Sequence, residues 1–231
     1  LIAIRRDLHM HPELGFEEVR TSGVIKEFLK ENNIPYIEVA KTGVCGIITG
    51  TKDGEGKVVA LRGDIDALPI QDMKSCEYKS QIPGRMHACG HDSHTTILMG
   101  AAKILNKYKD KFSGTVKLLF EPAEETTGGA PHMITQGVLE NPRVDCIFGL
   151  HVDEETECGT IKIKKGVVNA ASNPYNIKIT GQGGHGASPH TTVDPVVIAS
   201  HIVLALQTIV SREIAPVNPA VVTVGMLHAG T

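Results

Sequence analysis

Residues 86–94 read Met-His-Ala-Cys-Gly-His-Asp-Ser-His and bring together a thiol, three imidazoles and a carboxylate. These are the donors that hold a borderline-soft divalent cation such as zinc. A set this dense restricts where it can sit. Cys89 and His91 are separated by Gly90, a spacing that turns both toward one point on a loop or extended segment but not inside a helix. Residues 95–106 are apolar at Ile97, Leu98, Ala101, Ala102 and Leu105, the recurrence of an amphipathic helix. The cluster is therefore expected on a loop that feeds a helix. Two plainer readings stand beside the metal one. A single Cys is usually a small buried hydrophobe, and Cys89 could be a nucleophile if a histidine distant in sequence supplied the base.

Ahead of the cluster, residues 1–10 have a helical pattern, and a second helix is expected from about Glu17 to Glu31, apolar at Val19, Val24, Ile25, Phe28 and Leu29. Apolar runs at 34–39, 44–49 and 58–62 read as strands, with turn residues at 53–56. The third strand discharges into Gly63-Asp64-Ile65-Asp66-Ala67-Leu68-Pro69. That places two carboxylates at a strand's carboxyl end, where open α/β sheets bind their ligands, although a polar surface loop would read the same way. Residues 114–120 form a further expected strand, ending in Glu121-Pro122-Ala123-Glu124-Glu125. Adjacent acids are more often a solvated surface, yet these again cap a buried-looking strand. Residues 145–152 are another strand, with His151 at its end. A single sheet edge carrying Asp64, Asp66, Cys89, His91, Glu124, Glu125 and His151 accounts for all of them at once.

The character changes from about residue 166. Residues 174–180 alternate as a strand, and a glycine-rich loop at 181–190 carries His185 but lacks the Lys-Ser/Thr ending and helix context of a phosphate-cradling loop. Asp194 and Pro195 open a helix that runs to about Arg212, and residues 220–227 read as a last strand. Such a strand-helix-strand unit buries too little to be stable by itself, so a partner surface or further sequence is implied. The 231 residues carry a formal net charge of −3 with Lys and Arg scattered. Nothing here suggests nucleic acid or an anionic membrane as partner, which leaves a small molecule. No apolar run approaches the roughly 20 residues of a membrane helix, and Arg5, Arg6 and Asp7 interrupt residues 1–10, so no signal peptide is expected there. Cys45, Cys76, Cys89, Cys146 and Cys158 lack framework spacing, which favours reduced thiols in a cytoplasmic setting.

Six motifs in order, His9-Met-His-Pro-Glu-Leu-Gly-Phe-Glu-Glu18, Asp64-Ile-Asp-Ala-Leu-Pro69, the stretch from His87 to His94, residues 121–125, Gly149-Leu-His151 and Gly183-Gly-His-Gly-Ala-Ser-Pro-His190, closely resemble the M20 family of aminoacylase-type zinc metallopeptidases. The likeness is to its amidohydrolase branch, which includes hippurate hydrolase, N-acetyldiaminopimelate deacetylase and auxin-conjugate hydrolases. The resemblance implies an α/β fold, with a mixed-sheet catalytic domain of zinc-exopeptidase type over residues 1–168. An inserted two-layer α+β (ferredoxin-like) lid and dimerisation domain, here incomplete, would occupy residues 169–231. It implies a metal-dependent amidohydrolase that cleaves N-acyl amino acids or small peptides. By resemblance, Cys89, His91, Glu125 and His151 match the ligands of a centre of two divalent metal ions (Zn, Mn, Co or Ni), and Glu124 matches the general base. His185 matches a lid histidine that reaches the partner subunit's site in a homodimer. Asp66 matches the Asp of the wider family's His-x-Asp-x-x-Pro motif, whose His is Asp64 here. The family's last metal-binding His follows the lid and has no counterpart before Thr231, so the expectation is a fragment. The alternative is a catalytically incompetent piece that only binds metal or dimerises.

Overall fold

Five short apolar runs become one sheet: β1 (Tyr36–Val39), β2 (Gly43–Thr49), β3 (Val58–Asp64), β4 (Thr115–Glu121) and β5 (Cys146–Gly149), in the order β1-β2-β4-β3-β5. β1 and β4 both pair antiparallel with β2, while β3 runs parallel to β4 and β5. The sheet is mixed, as the resemblance implies. The structure is a computed structural model and describes residues 1–126, 128–168 and 171–230. Thr127 of the acidic loop, and residue 169, where the sequence sets the domain boundary, lie outside the described residues. The observed division gives two compact units, Leu1–Glu157 and Cys158–Thr231, an earlier break than the sequence suggests.

Helices α1 (Ile2–Met10), α2 (Val19–Glu31), α3 (His91–Lys107) and α4 (Gly129–Thr135) complete the first unit. The two-residue period of β4 decides which face each side chain takes. Val116, Leu118 and Phe120 join Ile25, Phe28 and Leu29 of α2 and Leu98, Met99 and Ala102 of α3, whereas Leu119 faces Met133 of α4. Full burial of a Leu or Phe side chain stabilises by about 1.5–3 kcal/mol, and Leu29, Leu118 and Phe120 are all completely buried. Lys117 is buried on the other face of β4, where its ammonium donates to the carbonyls of Val138 and Glu140 and so is not left unsatisfied.

The connections position the site. From β3 the chain crosses by α3 to β4, then returns by α4 past β3 to β5, with α3 and α4 packed on opposite faces. A reversal of this kind leaves a crevice at the carboxyl ends of the parallel strands. Asp64, the turn after Glu121, and His151 all lie there, as does the start of α3. That helix begins at His91 rather than Thr95, because Gly90 takes the left-handed conformation (φ +86°) that lets the loop turn into it. A Cβ at Gly90 would also meet Val152 Cγ2 at 2.4 Å.

In the second unit, α5 (Pro195–Thr208) starts where the sequence places it. Asp194 Oδ1 accepts the amides of Val196 (2.8 Å) and Val197 (3.3 Å). A π-helical turn, Ile209–Glu213, continues it. Two expectations are corrected here. Residues 174–180 and 220–227 are not strands: they line an open groove with α5, and extended backbone becomes a strand only when its polar groups pair with a neighbour. Among the described residues this unit has one isolated bridge, Gln182 with Val193. Against the expectation that no apolar run approaches the length of a membrane helix, the helical stretch Pro195–Glu213 spans 19 residues and is by length and composition apolar enough to cross one.

Candidate metal centre

Two imidazoles at the crevice are prepared in the same way. His91 Nδ1 donates to Asp66 Oδ1 (3.1 Å), and His151 Nδ1 donates to the Val152 carbonyl (2.7 Å). Each bond assigns the proton to Nδ1 and leaves the Nε2 lone pair for a ligand, the arrangement in which an outer partner orients a metal-binding histidine. Among the described residues, His91 Nε2 and Glu125 Oε1 are both buried without a hydrogen-bond partner, and they lie 3.7 Å apart. Cys89 Sγ is 3.2 Å from His151 Nε2. Donor atoms of Cys89, His91 and His151, and of His91, Glu124 and Glu125, each lie within 4.8 Å of one another.

These residues fit a divalent ion. A buried acceptor with no donor is costly, and two such atoms turned toward one another beside a thiol and an imidazole are relieved together by a cation. Without a metal the Cys89 thiol is pushed up to about 12, by burial and then by the Glu125 carboxylate. That is the reverse of what a cysteine nucleophile needs, although His151 is placed as its base would be.

The three imidazoles of the 86–94 stretch separate into three environments. His91 faces the centre. His94, on the same side of α3, has both nitrogens occupied: Nδ1 donates to Asp64 Oδ1 (2.6 Å) and Nε2 accepts the Val152 amide (2.9 Å). His87 is buried with neither nitrogen partnered among the described residues, and burial pushes its pKa down to about 4. Asp92 also turns away. It accepts from His9 Nδ1 (2.7 Å) and pairs with Arg5 (3.0 Å), tying α1 to α3.

Carboxylates and one guanidinium set the potential. Arg62 bridges Asp64 and Glu121. Burial works against ionised Asp64, but the His94 hydrogen bond, His91 and Arg62 outweigh it and hold the carboxyl below its ordinary value. Burial likewise opposes protonated His91, yet Asp66 and Asp64 raise it. Glu124, the more exposed of the acidic pair, is raised by burial and by Glu125 beside it, and its Oε2 lies 4.0 Å from His91 Nε2.

The turn that presents Glu124 and Glu125 is strained. Ala123 has φ +50°, a left-handed conformation that costs a residue with a Cβ about 1–2 kcal/mol. Its amide donates to Glu18 Oε1 (2.8 Å), and the Glu125 amide donates to Asp66 Oδ2 (3.0 Å). Asp66 thus touches both His91 and the turn. The sequence assigns no role to Arg62 or Glu18, and His94 stands out there only as one of the three imidazoles of residues 86–94. His185 lies in the second unit, exposed, its Nδ1 accepting the Ala187 amide at 3.2 Å.

The chain is 47% identical to IAA-amino acid hydrolase ILR1-like 4 of Arabidopsis thaliana over 231 residues, 100% of this chain and 51% of that protein. It is 43% identical to N-acetylcysteine deacetylase of Bacillus subtilis (strain 168), covering 100% of this chain and 60% of the relative. Among solved structures it matches Bacillus subtilis YXEP, described as a dinuclear metal-binding peptidase, with a TM-score of 0.69 and 38% identity over 90% of this chain and 55% of that one. The chain therefore spans about half the length of the curated relatives it matches. The profile of peptidase family M20/M25/M40 matches residues 60–230, from the middle of β3 to the penultimate residue. On that match, and on 47% identity to a relative over the whole chain, the chain belongs to peptidase family M20/M25/M40.

Proposed function

We propose that this chain forms the catalytic core and part of the lid of a metal-dependent amidohydrolase that cleaves the amide bond of N-acyl amino acids. The observation that carries the reading is the pair of orphaned, inward-facing atoms His91 Nε2 and Glu125 Oε1 beside the Cys89–His151 contact. The relatives named for IAA-amino acid and N-acetylcysteine hydrolysis support the substrate class, and the dinuclear description of YXEP supports two ions.

Cys89, His91, Glu125 and His151 would hold the ions, with Zn, Mn, Co and Ni all compatible with a mixed thiolate, imidazole and carboxylate set. A bound divalent ion lowers the pKa of water to about 7 and polarises a carbonyl oxygen. Glu124 Oε2 takes the proton of the attacking water. As the carbon–nitrogen bond breaks, it delivers that proton to the departing amine, leaving a carboxylic acid and a free amino acid. Asp66 keeps His91 in the Nδ1–H form and anchors the Glu125 amide. His185, on an exposed loop with glycines at 181, 183, 184 and 186, would donate to the developing oxyanion of the partner subunit's site in a homodimer.

The test is a panel of N-acyl amino acids offered to the full-length protein loaded with each metal, with elemental analysis alongside. About two divalent ions per chain and amine release that a chelator abolishes are expected. Protein purified without chelator that carries no stoichiometric metal overturns the reading.

A further inference from the structure

Residues 13–18 are a seat for the catalytic turn. A helix N-terminus leaves amides unsatisfied, and for α2 they are met from a distance. Glu13 Oε1 accepts the Arg20 amide (2.9 Å), and Glu13 Oε2 accepts the amide (2.7 Å) and hydroxyl (2.8 Å) of Thr21. Glu18 occupies the position before the first helical residue, yet its side chain makes no capping bond to its own helix. It turns inward instead and is completely buried. Oε2 accepts the Thr42 hydroxyl (2.6 Å), and Oε1 accepts the Ala123 amide (2.8 Å), more than a hundred residues away in sequence. Gly15 packs against the same turn: a Cβ there would lie 2.9 Å from both Ala123 Cβ and Thr126 Oγ1.

We propose that Glu18 is a positioning residue for the general base, holding Ala123 in its left-handed conformation so that Glu124 projects into the crevice. The inference rests on the Proposed function for the role of Glu124 but not for the geometry. Two carboxylates divide the work of fixing the turn. Asp66 holds the Glu125 amide and Glu18 the Ala123 amide, with Glu124 between the two anchors. Loss of the Asp66 anchor would disturb a metal-ligating residue and the histidine it orients. Removing the Glu18 anchor leaves that side intact and frees the backbone one residue ahead of the base. Burial raises the Glu18 pKa, and hydrogen bonds from the Thr42 hydroxyl and from backbone at Glu18, Ala123 and Phe16 only partly offset it. In either protonation state an oxygen remains to accept from Ala123.

The experiment compares Glu18→Ala, Glu18→Gln, Thr42→Val and Glu124→Gln in the full-length, metal-loaded protein, and follows amide exchange of Ala123 in metal-free samples. Glu18→Ala is expected to lower kcat about 10- to 100-fold, the scale of a misplacement near 1 Å. KM and metal stoichiometry should stay near wild type, and Ala123 exchange should accelerate by a similar factor. Glu18→Gln retains an acceptor oxygen and should recover most of the turnover and the protection. Thr42→Val loosens the carboxylate from its other side, should shift both readouts in the same direction by less, and serves if Glu18→Ala does not fold. Wild-type kcat in Glu18→Ala, or in Thr42→Val where Glu18→Ala does not fold, overturns the proposal, as does unchanged Ala123 exchange in that variant. Equal loss of turnover in Glu18→Ala and Glu18→Gln overturns it too, because a role in stability alone would not be rescued by the amide. Full activity in Glu124→Gln would instead remove the general base, and the exchange result still reports whether Glu18 holds the turn.

Discussion

Glu124 and Glu125 are neighbours with the same side chain and opposite surroundings. The Glu125 amide is tied to Asp66, and its Oε1 is buried facing His91; Glu124 is the more exposed, its pKa raised by burial and by the adjacent charge. This difference predicts separable mutants. Glu124→Gln should keep its metal and lose about a hundredfold or more in turnover, the scale of a general base. Glu125→Gln should lose metal as well. Elemental analysis with steady-state kinetics checks both, and equal metal loss in the two variants would reverse the assignment. The sequence displays the donor types and their clustering, because Cys89, His91 and His151 are chemically conspicuous. It does not sort His87, His91 and His94, which share one stretch and differ only in what the fold places opposite each ring. Glu18 is less legible still, since a residue before a helix is expected to serve that helix.

At the level of elements, α3 and the end of β5 are joined through one imidazole. His94 bridges Asp64 at the end of β3 to the amide of Val152, and Val152 in turn accepts from His151. The ring therefore sits behind the loop that carries His151, with the two rings 4.6 Å apart. His94→Phe preserves an aromatic ring and removes both hydrogen bonds. Metal affinity should fall about 10- to 100-fold, as for other groups that orient a ligand, and competition with a chromophoric chelator measures it. Unchanged affinity would show that the β5 loop needs no such tie. The sheet strands were readable from apolar runs because each is buried or paired within the first unit. Residues 174–180 and 220–227 have similar apolar runs without a pairing neighbour among the described residues, and composition cannot report whether a partner exists. The early start of α3 escaped because Gly90 reads as a loop residue, while its left-handed conformation also serves as the helix entry.

For the whole molecule, the two units raise a question of subunits. The candidate metal donors lie in Leu1–Glu157 and His185 lies in Cys158–Thr231, so the proposed oxyanion donor comes from a different unit than the proposed base. Whether it serves its own chain or a partner's is decided by complementation. In an isologous dimer each site draws the same residues from the same two sources. His185→Ala and Glu124→Gln chains should each be nearly inactive as homodimers. If His185 acts in trans, a mixed dimer contains one site with both defects and one with Glu124 from one chain and His185 from the other, free of defect. Equal mixing then restores about a quarter of wild-type activity per chain, the statistical share for random two-fold dimers. A histidine acting within its own chain leaves every site with one defect, and mixing restores nothing. Native mass spectrometry to verify the mixed dimers, followed by turnover at increasing mixing ratios, separates the outcomes. Activity that peaks at equal mixing places His185 across the interface, and a flat profile with verified mixed dimers refutes the trans assignment.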